Sequence, residues 1–253
     1  YVQYAKWMSG IVTRGDFGFS FVTLRSIGAF IWPLMGNTMI LIVAALLFTW
    51  TVALPIGCYS AVRQYSPGDY LFTLLGFLGL AVPNFLLALV LLFLSYSLTG
   101  RIMVGMYSQH MVDAPWSWAK FVDMLKHIAI PTVVIGSSGT ASMIRILRNN
   151  LLDELHKPYV MMARAKGLNE WRLLLKYPLR IAINPFLSTI GFLLPDLFGA
   201  TIIVSVVLTI PSVGPLYLDA LLNQDMYLAG SIVLLIATVT VVGVLISDIL
   251  LGL

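Results

Sequence analysis

The sequence predicts an all-α integral membrane protein, a polytopic helix bundle, and three observations predict it. First, 59% of the 253 residues are hydrophobic and only 10% are charged, where a soluble domain carries about 25% charged residues. Second, mean hydropathy is +0.93, and apolar runs long enough for a hydrocarbon core of about 30 Å recur five times along the chain. Third, those runs are too long for barrel strands and lack period-2 alternation, so they read as helices.

The elements follow in order. Residues 1–33 form a segment outside the membrane, and residues 34–250 form the membrane domain. The first span covers about 37–60, "NTMILIVAALLFTWTVALPIGCYS", and the second about 71–98. The third, about 129–147, is weaker and starts at Ala129–Pro131. The fourth covers about 185–210 and the fifth about 228–251. Residue 1 is Tyr, no basic n-region with an apolar h-region follows it, and "SDILLGL" stops at the end of a span. The expectation is therefore a piece of a longer chain, with a sixth helix missing upstream.

Charge orients the spans. Arg145, Arg148, Lys157, Arg164, Lys166, Arg172, Lys176 and Arg180 stand against Asp153, Glu154 and Glu170, all in one stretch. The positive-inside rule puts 145–184 in the cytoplasm. Alternation then puts 61–70, with Arg63, inside, and 1–33, 99–127 and 211–227 outside. The net charge of +4 is concentrated in that loop, so no nucleic acid is needed to explain it.

Several small signals have plain structural readings. Cys58 is alone, which excludes a disulfide framework or thiolate metal site and suits a packing residue. Pro55, Gly57, Pro83, Pro131, Pro195 and Gly199 punctuate the spans, as a packed membrane bundle tolerates. Gly136–Ser137–Ser138–Gly139 permits close helix approach. It also matches the Gly-x-Ser-Gly pattern of intramembrane serine proteases, whose serine needs a base. The only later histidine is His156, in the cationic loop, while His110 and His127 precede the motif. Packing explains the motif better. No metal-ligand cluster is visible, and there is no Walker-type phosphate loop.

The stretch "YVMMARAKGLNEWRLLLKYPLRIAINP", residues 159–185, lies between apolar runs. Pro158 suits a first helical turn, and Met161, Ala165 and Leu168 fall near one face of the helix that follows. Gly167 can end that helix, and Asn169 can cap a second one with Glu170 in its first turn. Leu173 to Leu175 supply apolar contact, while Arg172, Lys176 and Arg180 keep the other side wet. Two arrangements fit these residues: an elbow projecting into the cytoplasm, or an amphipathic loop lying in the anionic interface.

Tyr159 and the run Ala163–Arg164–Ala165–Lys166–Gly167–Leu168 resemble the cytoplasmic coupling loop of bacterial ABC importer permeases. Against the general family pattern, anchored on Gly167, only Ala163, Gly167 and Leu179 match; the first Glu falls on Met161 and the closing Pro on Arg180. The "ARAKGL" wording is instead similar to the dipeptide/oligopeptide/nickel branch, whose next span starts where Pro185 stands. "RGDFGFS" at 14–20 resembles the external segment of that branch's B-type subunit. "AVPNF" at 81–85, "IAIPT" at 128–132, "IPSVGP" at 210–215 and "LLNQDMYLAGSIVLL" at 221–235 follow in the family's order, so the resemblance covers nearly the whole chain.

The resemblance implies a type I permease domain over 34–250, with a coupling loop at 148–184 and commonly six helices. It implies a multi-pass subunit of the bacterial cytoplasmic membrane, translocating peptides or similar small solutes. The expected partners are a second permease (a different, C-type chain), two ATPase subunits and an extracytoplasmic substrate-binding protein. ATP and Mg belong on the ATPases, so no cofactor and no catalysis are expected on this chain. ATP-driven closure moves the elbows, and the bundle changes which side its cavity faces. Tyr159, Ala163, Arg164, Ala165, Lys166, Gly167 and Leu168 are the expected coupling residues. Arg164 and Lys166 would pair with acidic groups on the ATPase or simply anchor the loop inside.

For the substrate path the candidates are Asp196, midway along the fourth span, and Thr201 and Ser205, which follow at near-helical spacing. Asp248, near an inner end, reads as an interface residue. The alternative function is an ion-gradient-driven secondary transporter with Asp196 as ion site. That class shows internal repeats and several buried charges; no clear repeat and one mid-span charge are visible here. Dipeptides, oligopeptides, opines, nickel chelates and oligosaccharides all use related permeases.

Overall fold

A computed structural model describes residues 1–252. Those residues are helical apart from connecting loops and one isolated antiparallel bridge, Phe19 with Ser26. Helix α1 (Val2–Arg14) ends at Gly15 in the left-handed conformation. It is held to the following loop by the Trp7 indole, which donates to the Phe17 carbonyl at 2.9 Å. Helix α2 (Ile27–Val62) then runs for 36 residues. At 1.5 Å per residue it is longer than a bilayer core is thick, so it emerges from the expected first span at its outer end.

The second span is not one straight helix. Helices α3 (Pro67–Ala81) and α4 (Asn84–Thr99) meet at a bend of 108°. The cause is local: Pro83 lacks an N–H and disfavours helical geometry in the residue before it, and Val82 is extended, with φ −82° and ψ 121°. Beyond α4 the chain still reaches the far end of the fourth span, because the Gly105 amide bonds the carbonyl of Leu208. The weak third span is in fact the longest helix, α5 (Trp118–Leu155), with 38 residues. Its hydropathy is diluted by Lys120, Asp123 and Lys126 at one end and Arg145 and Arg148 at the other.

Beyond α5 come α6 (Pro158–Ala165), α7 (Glu170–Lys176), α8 (Pro178–Ala182) and α9 (Asn184–Ser188), then α10 (Ile190–Val207), α11 (Val213–Leu222) and α12 (Met226–Gly252). Pro158, Pro178 and Pro185 each stand in a first helical turn, so proline sets the starts of α6, α8 and α9. The approach to the fourth span is accordingly bent, by 58°. Among the described residues, helices α2, α5 and α12 are each long and apolar enough to cross a membrane, and taking each bent pair as one span gives up to five by length and composition.

Packing is centred on α2 against α5. A Cβ on Gly57 would lie 3.0–3.2 Å from Leu147, and one on Gly136 2.6 Å from the Phe48 ring and 3.0 Å from the Ala45 carbonyl. Small residues thus let the two backbones close, and Thr49 donates to the Gly136 carbonyl at 3.1 Å across the contact. One core cluster, including Ile31, Leu41, Ile135 and Ile232, fills the outer half. A second, including Leu147, Leu151 and Phe186, fills the inner half. Ser138, the serine of the Gly-x-Ser-Gly match, and His156 lie on the same helix and its cap, about 27 Å apart along the axis at 1.5 Å per residue. They cannot form a catalytic pair.

Candidate functional site

The elbow at 158–176 is built from the bottom up by its caps. Pro158 opens α6, and α6 ends at Lys166. Gly167 then takes φ +78°, a value that L side chains adopt only with strain, and its amide bonds the Arg164 carbonyl at 3.0 Å. No atom stands within 4 Å of where its Cβ would be, so backbone geometry rather than space selects glycine. Asn169 caps α7: its side-chain oxygen accepts from the Trp171 amide at 3.0 Å. The segment is a helix–turn–helix.

The elbow carries its own small core. Val160, Ala163 and Leu173 are buried together, with Tyr159, Leu168 and Tyr177 packed around them. The Tyr159 hydroxyl donates to the Glu154 carboxylate at the end of α5. Burial, reinforced by Glu154, pushes the Tyr159 phenol up to about 12, so it remains a donor. Arg164 spans the turn and donates to both carboxylate oxygens of Glu170, at 2.7 and 3.1 Å. That hydrogen bonding raises the Arg164 guanidinium and lowers the Glu170 carboxyl from their ordinary values.

This geometry divides the seven coupling residues. Tyr159, Ala163 and, in part, Leu168 face the elbow's interior, while Arg164, Ala165, Lys166 and Gly167 are exposed at its tip. Of the three residues that the spacing puts near one face, Met161 and Ala165 are exposed and Leu168 is half-buried; Val160 and Ala163, three residues apart, are the buried pair. Leu173 and Leu174 are buried, but Leu175 is exposed. Sequence reasoning missed Met161, Met162 and Trp171, which stand 54%, 62% and 70% exposed around the tip. The available signal was that Met161, Met162 and Trp171 add to Val160, Leu168 and Leu173 to Leu175 more large apolar residues than the elbow's small core has room to bury.

The three substrate-path candidates do not share a face. On α10, Leu197, Thr201, Val204, Ser205 and Leu208 point into the bundle, and Thr201 donates back to the Leu197 carbonyl at 2.7 Å. Asp196 is exposed on the opposite side with Gly199, Ile203 and Val206. The steps from 196 to 201 and 205 rotate the helix by about 140° and 180°, at about 100° per residue. The spacing therefore separates what the sequence reading had grouped. Asp248 is exposed near the inner end of α12.

Comparison with known proteins adds to this geometry. The profile of a family described as "Binding-protein-dependent transport system inner membrane component" matches residues 53–253. The chain is 33% identical over 251 residues to the oligopeptide transport system permease protein AppB of Bacillus subtilis, covering 99% of this chain and 78% of that protein. It is 29% identical over 266 residues to the dipeptide transport system permease protein DppB of Escherichia coli, covering 99% and 78%. It is 27% identical over 252 residues to the oligopeptide transport system permease protein OppB of Mycobacterium tuberculosis, covering 98% and 77%.

Proposed function

Since the chain belongs to the family of binding-protein-dependent transport system inner membrane components, we propose that it is the membrane-spanning permease subunit of an ATP-driven importer of peptides. The single observation that carries the coupling role is the elbow itself: a capped helix–turn–helix with its own core, standing on the end of α5 and presenting Met161, Met162, Ala165 and Lys166 outward. Such a lever docks on an ATPase subunit as a rigid body and moves α5 when the ATPases close. Tyr159, Ala163 and Leu168 shape the lever; Gly167 sets its turn; Arg164, through Glu170, holds the turn closed. Lys166 is the charge left for an acidic group on the ATPase. A second permease of C type and an extracytoplasmic binding protein complete the assembly in the cytoplasmic membrane. ATP and Mg act on the ATPase subunits, and this chain carries no cofactor.

The substrate reading rests on the relatives, which are named for oligopeptides and dipeptides. The exposed face of α10 with Asp196 is the part of this chain we assign to the path, because an intramembrane carboxylate faces water or a partner rather than lipid. Thr201 and Ser205 support that helix from behind. The test is uptake of a labelled dipeptide and a labelled tetrapeptide into vesicles holding the full complex and its binding protein. Uptake that requires ATP and survives collapse of the ion gradients is expected. Uptake that follows the gradients and ignores ATP restores the secondary-transporter alternative.

A further inference from the structure

A cleft of ≈ 1500 Å³ opens between the elbow and the bundle at the cytoplasmic end. That exceeds the ordinary small-ligand range of about 300–1,000 Å³. Its walls come from the inner ends of α2, α3 and α5 on one side and from α7 on the other. They are predominantly aliphatic and aromatic, with Ile56, Phe72, Leu155, Trp171 and Leu175 among them. The charged groups on its wall are Arg63, Arg164 and Glu170, with His156 beside them. Arg164 and Glu170 neutralise each other. A ring nitrogen of His156 is turned to the Leu152 carbonyl at 2.7 Å. Arg63, at the end of α2, has no carboxylate partner among the described residues and lies 5.9 Å from the Tyr59 ring.

We propose that this cleft is a binding site for one anionic phospholipid of the inner leaflet, its acyl chains against the apolar walls and its phosphate at Arg63. Three things select a lipid. The cleft runs along the inner ends of α2 and α5, two helices long and apolar enough to cross a membrane, so it lies where the inner leaflet meets the cytoplasm. Its lining is apolar where a chain would lie and cationic at its cytoplasmic end, the polarity of a phospholipid. A basic pocket between helices on the cytoplasmic side is the arrangement that anionic headgroups recognise. Because α7 forms one wall, the lipid fills the gap between lever and bundle and fixes the elbow's rest position. The inference stands on the cleft and holds whatever solute the protein carries.

The test uses the full-length chain in its complete complex, in nanodiscs containing phosphatidylglycerol with a diazirine in one acyl chain, beside discs in which phosphatidylethanolamine carries the same diazirine. After irradiation, adducts are mapped by peptide mass spectrometry. The expected result is labelling of 54–62 and 173–179, about fivefold stronger from phosphatidylglycerol, the worth of one interfacial basic residue. Arg63→Glu should abolish that preference and Arg63→Lys should keep it, while Leu155→Trp, filling the cleft, should remove labelling with either lipid. Co-purification of the ATPase reports that each variant is assembled. Equal labelling by both lipids, preference persisting in Arg63→Glu, or its loss in Arg63→Lys overturns the proposal. So does an unlabelled cleft in which Cys58, on its wall, cross-links to a partner subunit.

Discussion

Arg164 and Glu170 close the elbow from opposite sides of Gly167, with two hydrogen bonds of 2.7 and 3.1 Å. This makes Arg164 an internal clamp before it is anything else. The pair is exposed and screened by solvent, so its removal should leave overall stability nearly unchanged. Its effect should appear in coupling instead. Glu170→Arg alone should weaken ATPase association, and the swap Arg164→Glu with Glu170→Arg should restore it. Failure of the swap to rescue, measured by co-purification, would mean that Arg164 meets the ATPase directly.

The inner ends of α3 and α5 are joined by Arg148 and Asp69, 3.0 Å apart, with the Asp69 side chain 4% exposed. The Ser66 side chain caps α3, and Asp69 also accepts from the Tyr65 amide at 3.0 Å. Arg148→Met leaves a buried carboxylate with the Tyr65 amide but no charge partner and should cost about 3 kcal/mol. Adding Asp69→Asn should recover most of the loss, because a neutral amide is far cheaper to bury. Thermal unfolding of the complex in detergent checks both; an unaltered Tm in Arg148→Met would show the pair to be dispensable.

Outside the membrane, Asp225 ties the segment before α2 to the start of α12. Its carboxylate accepts from the Ser20 hydroxyl at 2.6 Å, the Leu228 amide at 3.1 Å and the Val22 amide at 3.4 Å. Burial raises its carboxyl, but these hydrogen bonds outweigh burial and hold it below the ordinary value. The folded value being the lower, the stabilisation is complete above the unfolded value of about 3.9 and is lost as pH falls through the folded one. Hydrogen exchange of residues 15–26 should therefore accelerate only below about pH 4, and Asp225→Asn should exchange fast at neutral pH. Acceleration near pH 6 would implicate a different group.

The elbow was legible because its signals are local: Pro158, Gly167 and Asn169 each dictate a cap without help from the rest of the chain. The spans were legible as apolar runs, except where charge or proline interferes. Lys120 hid the start of α5, since its ammonium bonds the Val112 and Ala114 carbonyls outside the apolar region. Pro83 marked where the second span breaks, but a proline alone does not announce an angle of 108°. Which face of α10 is buried was not legible, because that helix is apolar all round apart from Asp196 and a few small polar groups. The cleft beside Arg63 joins residues more than a hundred positions apart, which no periodicity announces.

Gly136 offers a sharp test of the α2–α5 contact. Gly136→Ala adds a methyl carbon 2.6 Å from the Phe48 ring and 3.0 Å from the Ala45 carbonyl. The backbone oxygen cannot rotate away, so the helices must separate, at a cost of about 1–3 kcal/mol. Adding Phe48→Leu should relieve the ring contact and restore part of the Tm. A single variant as stable as wild type would show the two helices to be less closely packed.

The measurement closest to the central claim is recovery of the ATPase with tagged full-length protein from its membrane, comparing wild type with Gly167→Arg and Gly167→Asn. Arginine is strained at φ +78°, whereas asparagine tolerates that region. The account predicts that wild type and Gly167→Asn bring down a phosphate-loop ATPase, while a correctly inserted Gly167→Arg does not. Equal recovery with all three would contradict the elbow as the coupling site.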